Sequence, residues 1–84
     1  MPDVGPDTPE KVLAYVASQL VDSPEEVSVE ADHSEGAVDL RLTVGKDDMG
    51  RVIGRRGRNA QAIRTVVRAA GARAGVEASV DIVD

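Results

Sequence analysis

The chain has no cysteine, tryptophan or phenylalanine, a single tyrosine, Tyr15, and a single histidine, His33. Without thiols there can be no disulfide and no thiolate metal site, and the composition suits a reducing compartment. One imidazole with no thiol and no second histidine is a poor start for a metal site or a nucleophilic triad. No Gly-Lys-Ser/Thr sequence exists to form a P-loop. No apolar run approaches the roughly 20 residues of a membrane-spanning helix, and the first residues lack the basic start and apolar stretch of a signal peptide. These absences predict a soluble, cytoplasmic protein without a membrane partner, a cofactor or a metal. At 84 residues the chain is long enough for one small core.

What is present is a sharp division of charge. The formal net charge is −5, yet residues 1–50 hold twelve of the fifteen acids and only three bases, Lys11, Arg41 and Lys46. Residues 51–75 reverse this with Arg51, Arg55, Arg56, Arg58, Arg64, Arg68 and Arg73 and no acid. A run of charge is usually a solvated helix face, but these arginines surround glycines and have no interleaved acids to pair with. One local field is therefore positive on an acidic molecule.

Residues 1–7 contain two prolines and a glycine and show no periodicity, so they read as a flexible tail, with one domain over 8–84. Thr8-Pro9-Glu10 reads as a helix start with Thr8 as N-cap. The helix is expected to run to about Asp22, with Val12, Leu13, Val16, Ala17, Leu20 and Val21 as its apolar face. Tyr15 lies off the centre of that stripe and is expected to pack half-buried rather than to serve as a stacking platform. Val27–Glu30 alternates as a short strand, followed by an acidic turn over 31–36. Val38, Leu40, Leu42 and Val44 make one face of a return strand whose other face is polar. Asp47 and Asp48 are placed to cap a short helix containing Met49, Val52 and Ile53, which Gly54 ends. A second amphipathic helix starts near Arg58, carries Ala60, Ile63, Val67 and Ala70, and is expected to stop at Gly71, with a loop over 71–75. Val76, Ala78, Val80 and Ile82 then alternate as a last strand. The order α-β-β-α-α-β predicts an α+β fold with three helices on one face of a three-stranded sheet.

Few residues are equipped for catalysis. His33 sits alone in an acidic hairpin, and Glu25, Glu26, Glu30, Asp32 and Glu35 read as a solvated edge rather than an acid/base pair, so no enzyme is expected. The informative stretch is Arg51-Val52-Ile53-Gly54-Arg55-Arg56-Gly57-Arg58. A lone G-x-x-G is weak in a chain with eight glycines, and it is neither a dinucleotide fingerprint nor a P-loop. Its surroundings add meaning. A glycine-bracketed turn between two helices aims backbone N–H groups and the positive end of the following helix at one place, and two arginines at the tip add cations. A structural turn accounts for Gly54 and Gly57 but not for paired arginines at its tip.

Val52-Ile53-Gly54-Arg55-Arg56-Gly57, set between two helices within this order of elements, resembles a type II KH domain, and the resemblance spans residues 8–83. Asp48 to Arg58 followed by Ala62-Ile63-Arg64-Thr65-Val66-Val67 is similar to the small bacterial single-KH proteins of the KhpA type. The resemblance implies a mixed sheet with the second strand central, antiparallel to the first and parallel to the third. It implies single-stranded RNA as the partner, with the G-x-x-G turn clamping the backbone of about four nucleotides. Gly54 and Gly57 would permit close approach, Arg55 and Arg56 would flank phosphates, and Ile53 would floor an aliphatic groove, with Arg51, Arg58 and Arg64 in support. Lys46 is a weaker candidate, and Arg73 falls in the segment resembling the variable loop. An aliphatic groove also accounts for the missing aromatics, since other single-strand binders rely on stacking rings. The family is further associated with post-transcriptional regulation or RNA chaperoning, with a larger KH-containing partner, and with growth, cell envelope and cell shape.

The acidic first half departs from an all-basic RNA binder and implies a narrow, weak footprint. A second reading is a protein-interaction or dimerisation module. Val66 and Val67 are adjacent on one helix and cannot both face the core, which leaves Val66 for an exposed apolar patch and a homodimer.

Overall fold

A computed structural model describes residues 8–83; the expected tail, residues 1–7, lies outside the described residues. Helix α1 spans Pro9–Leu20, and the Thr8 hydroxyl accepts the Lys11 N–H at 3.2 Å, the expected N-cap. The helix ends two residues earlier than its apolar pattern suggests. Val21 is already extended, and the N–H groups of Asp22 and Ser23 are both accepted by the Asp48 carboxylate at 3.1 Å. Tyr15 is 67% exposed, against the expectation of half-burial. It lies two residues from both Leu13 and Ala17, the fully buried positions of α1, and at about 100° per residue that places it on the opposite side of the helix.

Strand β1, Ser28–Ser34, pairs antiparallel with β2, Ala37–Thr43, from Ser28 opposite Thr43 to Ser34 opposite Ala37. The acidic segment read as a turn is thus mostly strand, and only Glu35 and Gly36 connect the two. Its polar residues are compatible with a strand because β1 lies at the sheet edge, where side chains stay in water. Strand β3, Glu77–Val83, pairs parallel with β2, so the order is β1-β2-β3 with β2 central. This is the mixed sheet of a type II KH fold.

The alternation on β2 divides the sheet into two faces. Val38, Leu40 and Leu42 are at most 1% exposed, while Asp39, Arg41 and Thr43 face water. On the covered face the core gathers Leu13 and Ala17 of α1, Val52 of α2 (Met49–Ile53), Ile63 and Val67 of α3 (Arg58–Arg73), and Ala78 of β3. Complete burial of a leucine or isoleucine contributes about 1.5–3 kcal/mol, so this cluster carries most of the packing energy.

Two expectations around α2 and α3 need correction. Asp48 does not cap α2; it is 3% exposed and its carboxylate is spent on the chain leaving α1. Gly71 does not end α3, which continues to Arg73, so the expected loop over 71–75 begins later and Arg73 is helical. Gly71 is there for contact: a β-carbon would come 2.8 Å from the Ala78 Cβ and 2.9 Å from the Val76 carbonyl oxygen. Its absence lets the last turns of α3 lie directly on β3.

Candidate nucleic-acid interface

Helix α2 is only five residues long and delivers the chain to Gly54, whose N–H bonds back to the Gly50 carbonyl at 2.8 Å. Gly54 then adopts φ 77°, ψ 172°, a region essentially closed to residues with a β-carbon. A single tight turn, Arg55–Gly57, follows, held by the Gly57 N–H to the Gly54 carbonyl at 3.1 Å and by the Arg58 N–H to the Arg55 carbonyl. Arg56 (φ 59°, ψ 26°) and Gly57 (φ 72°, ψ 16°) are consecutive left-handed residues. For Arg56 that conformation costs about 1–2 kcal/mol. The chain turns back into α3 at once, and no side chain caps the first turn of that 16-residue helix. The positive end of the α3 dipole therefore lies beside the turn.

The predicted residues are distributed around this turn. Arg55, Arg56 and Arg58 are exposed, Gly54 and Gly57 half-buried, and Ile53 is 39% exposed, an uncommon placement for an isoleucine. Among the described residues no carboxylate pairs with Arg55, Arg56 or Arg58. Arg51 differs: its Nη1 donates to Asp22 Oδ1 at 2.7 Å, a surface ion pair with both side chains more than half exposed. Arg64 is set apart from the tip. It is half-buried in the second turn of α3, and its Nε donates to the Val80 carbonyl on β3 at 3.4 Å. Lys46 is exposed in the turn before α2, and Arg68 and Arg73 are exposed farther along α3.

The open sheet face has the opposite character. Asp32 lies directly across from Asp39, and Arg41 sits between Glu30 and Asp81 in register. Shallow depressions there are lined by these carboxylates, which repel phosphate, so they are not candidates for a polyanion. His33 Nε2 lies 3.2 Å from Glu10 Oε2 at the start of α1. Among the described residues no group of three His, Cys, Asp or Glu side chains could hold a metal ion, and no helix is long and apolar enough to cross a membrane.

One residue of this region escaped the sequence reading. Asn59, in the first turn of α3, donates its Nδ2 to the Arg51 carbonyl at 2.7 Å, and Gly54 packs against it. Asn59 carries no charge and belongs to no motif; its only signal is an amide side chain two residues beyond Gly57.

The sequence also matches the family model described as "KhpA/KhpB, KH domain" over residues 10–82. The chain belongs to the KhpA/KhpB KH-domain family. Among similar proteins, the RNA-binding protein KhpA of Bacillus subtilis (strain 168) is 39% identical over 75 residues, covering 89% of this chain and 93% of that protein. KhpA of Clostridium acetobutylicum is 42% identical over 73 residues, covering 87% and 97% respectively. KhpA of Treponema pallidum is 40% identical over 75 residues, covering 89% and 94%. The KhpA likeness thus extends across the helices, the sheet and the glycine-bracketed turn alike.

Proposed function

We propose that this chain binds single-stranded RNA by clamping the sugar–phosphate backbone with Gly54-Arg55-Arg56-Gly57. The observation that carries the reading is the turn itself: two glycines at positive φ bracket two exposed arginines at the uncapped start of α3. Gly54 and Gly57 offer no β-carbon to obstruct a ribose, Arg55 and Arg56 flank phosphates, and Ile53 floors the aliphatic groove in which bases lie. Arg51 and Arg58 widen the positive rim. Arg64, whose Nε is engaged by Val80, contributes through its terminal nitrogens. The name of the KhpA relatives, RNA-binding protein, supports the same reading. A backbone clamp without a catalytic centre fits a cytoplasmic post-transcriptional regulator or RNA chaperone, with effects on growth, envelope and cell shape exerted through the RNAs it holds.

A second reading is favoured by one observation. Val66 is 45% exposed on α3, between exposed Ala62 and Ala69 on the same side of the helix. A small apolar stripe of this kind suits a second copy of the chain or a larger KH-containing partner. The readings are compatible, because two clamps in one dimer raise avidity.

The test is RNA crosslinking of the wild type beside a protein carrying Arg55→Asp and Arg56→Asp. The double substitution changes the tip from +2 to −2 and keeps both glycines. Loss of RNA recovery with an unchanged circular dichroism spectrum is the expected outcome. Equal recovery by both proteins would overturn the clamp and leave the interaction module.

A further inference from the structure

We infer that Asn59 is a positioning residue that presets the turn before RNA arrives. The inference rests on the backbone-clamp reading and adds to it the residue that holds the clamp in shape. Besides its own backbone hydrogen bonds, the turn is fixed by its tie to the helices on either side. Helix α2 is five residues long, too short to be stable by its own hydrogen bonds, and its last carbonyls have no partner within the helix. Asn59 supplies one such partner. Its Nδ2 donates to the Arg51 carbonyl at 2.7 Å, so the end of α2 is tied to the first turn of α3.

The same side chain sets the path of Gly54. A β-carbon on Gly54 would come 2.8 Å from Asn59 Cγ and 2.9 Å from both its Cβ and its backbone nitrogen. The main chain at Gly54 is therefore pressed against Asn59, in a conformation that only glycine adopts readily. From beyond the turn, Asn59 thus constrains two points before it, the Arg51 carbonyl by a hydrogen bond and Gly54 by packing. Between Gly54 and Asn59, Arg56 is left-handed without being glycine, a conformation that persists only when its surroundings hold it. A turn already in its bound shape loses less conformational freedom on binding, so the contribution of Asn59 appears as affinity without any contact to RNA.

This separates Asn59 from the arginines in a measurable way. Removing a side chain that neutralises one phosphate makes the slope of log K against log salt shallower by about 0.7. Removing a positioning residue lowers affinity and leaves the slope alone. Asn59→Leu keeps the approximate bulk of the side chain, removes the donor and adds no charge. RNA affinity is expected to fall about fivefold, the equivalent of one net hydrogen bond, at every salt concentration. Arg55→Ala should lower both affinity and slope. In the absence of RNA, the Gly54 N–H should exchange with solvent faster in Asn59→Leu than in the wild type.

Wild-type affinity and wild-type Gly54 exchange in Asn59→Leu, alongside loss of binding in the Arg55→Asp and Arg56→Asp protein, would overturn the role of Asn59 and leave the clamp standing. RNA binding that survives the double arginine substitution would overturn the clamp itself, and Asn59 as its positioning residue with it. Should Asn59→Leu fail to fold, the wild-type protein carries the test: slowed exchange of the Asn59 side-chain amide is expected, and exchange at the rate of a free amide would refute the tie to Arg51.

Discussion

Arg51 on α2 and Asp22, just beyond α1, form an ion pair 2.7 Å across, and this is the one arginine of the proposed clamp held by a carboxylate among the described residues. Asp48 joins the same two segments from the inside, with its buried carboxylate on the N–H groups of Asp22 and Ser23. The exposed pair and the buried one have different consequences. An ion pair exposed on both sides contributes about 0–1 kcal/mol and is screened by salt. On the proposed clamp, Asp22 would compete with phosphate for the Arg51 guanidinium. Asp22→Asn should leave the denaturation midpoint nearly unchanged and raise RNA affinity about two- to fivefold at low salt, with the gain vanishing toward 1 M salt. Fluorescence anisotropy with a short labelled RNA at several salt concentrations checks this.

Gly71→Ala separates two roles a glycine can have near the end of a helix. As a mere helix residue, alanine would stabilise by up to about 1 kcal/mol. The missing β-carbon, however, would lie 2.8 Å from Ala78 Cβ, a distance at which something must shift. The close approach of α3 to β3 should win, and the substitution should destabilise by about 1–3 kcal/mol in urea denaturation.

Much of this architecture was legible because periodicity and punctuation agreed. Thr8-Pro9 marked the start of α1, the strict alternation of β2 marked both faces of the sheet, and Gly54 marked the end of α2. Two of the misreadings share a cause, since each depended on a contact with another segment of the chain. Asp48 looked like a local cap because nothing in its neighbourhood indicates that Asp22 and Ser23 need an acceptor 26 and 25 residues away. Gly71 looked like a stop because its contact with Ala78 exists only after β3 docks. The acidic stretch after Glu30 looked like a turn because an edge strand with both faces wet has no apolar alternation to display. At the turn, the glycines and arginines were visible from composition and spacing, whereas Asn59 acts through a backbone carbonyl eight residues earlier.

Val66→Asp tests the second reading. The side chain is 45% exposed, so a carboxylate there stays in water and folding should be preserved, with a change within about 0.5 kcal/mol. Light scattering should report a dimer for the wild type and a monomer for the variant. An unchanged mass would place any association elsewhere than this stripe of α3.

Phosphate contacts from a few arginines at one turn make RNA binding salt-dependent, and titrating the wild type with a short single-stranded RNA across a range of salt concentrations measures that dependence. About four phosphate contacts, each contributing roughly −0.7, predict a slope of log K against log salt near −3, and the Arg55→Asp and Arg56→Asp protein should show no measurable binding. A wild-type slope near zero, or an affinity indifferent to both substitutions, would rule out a phosphate clamp at this turn.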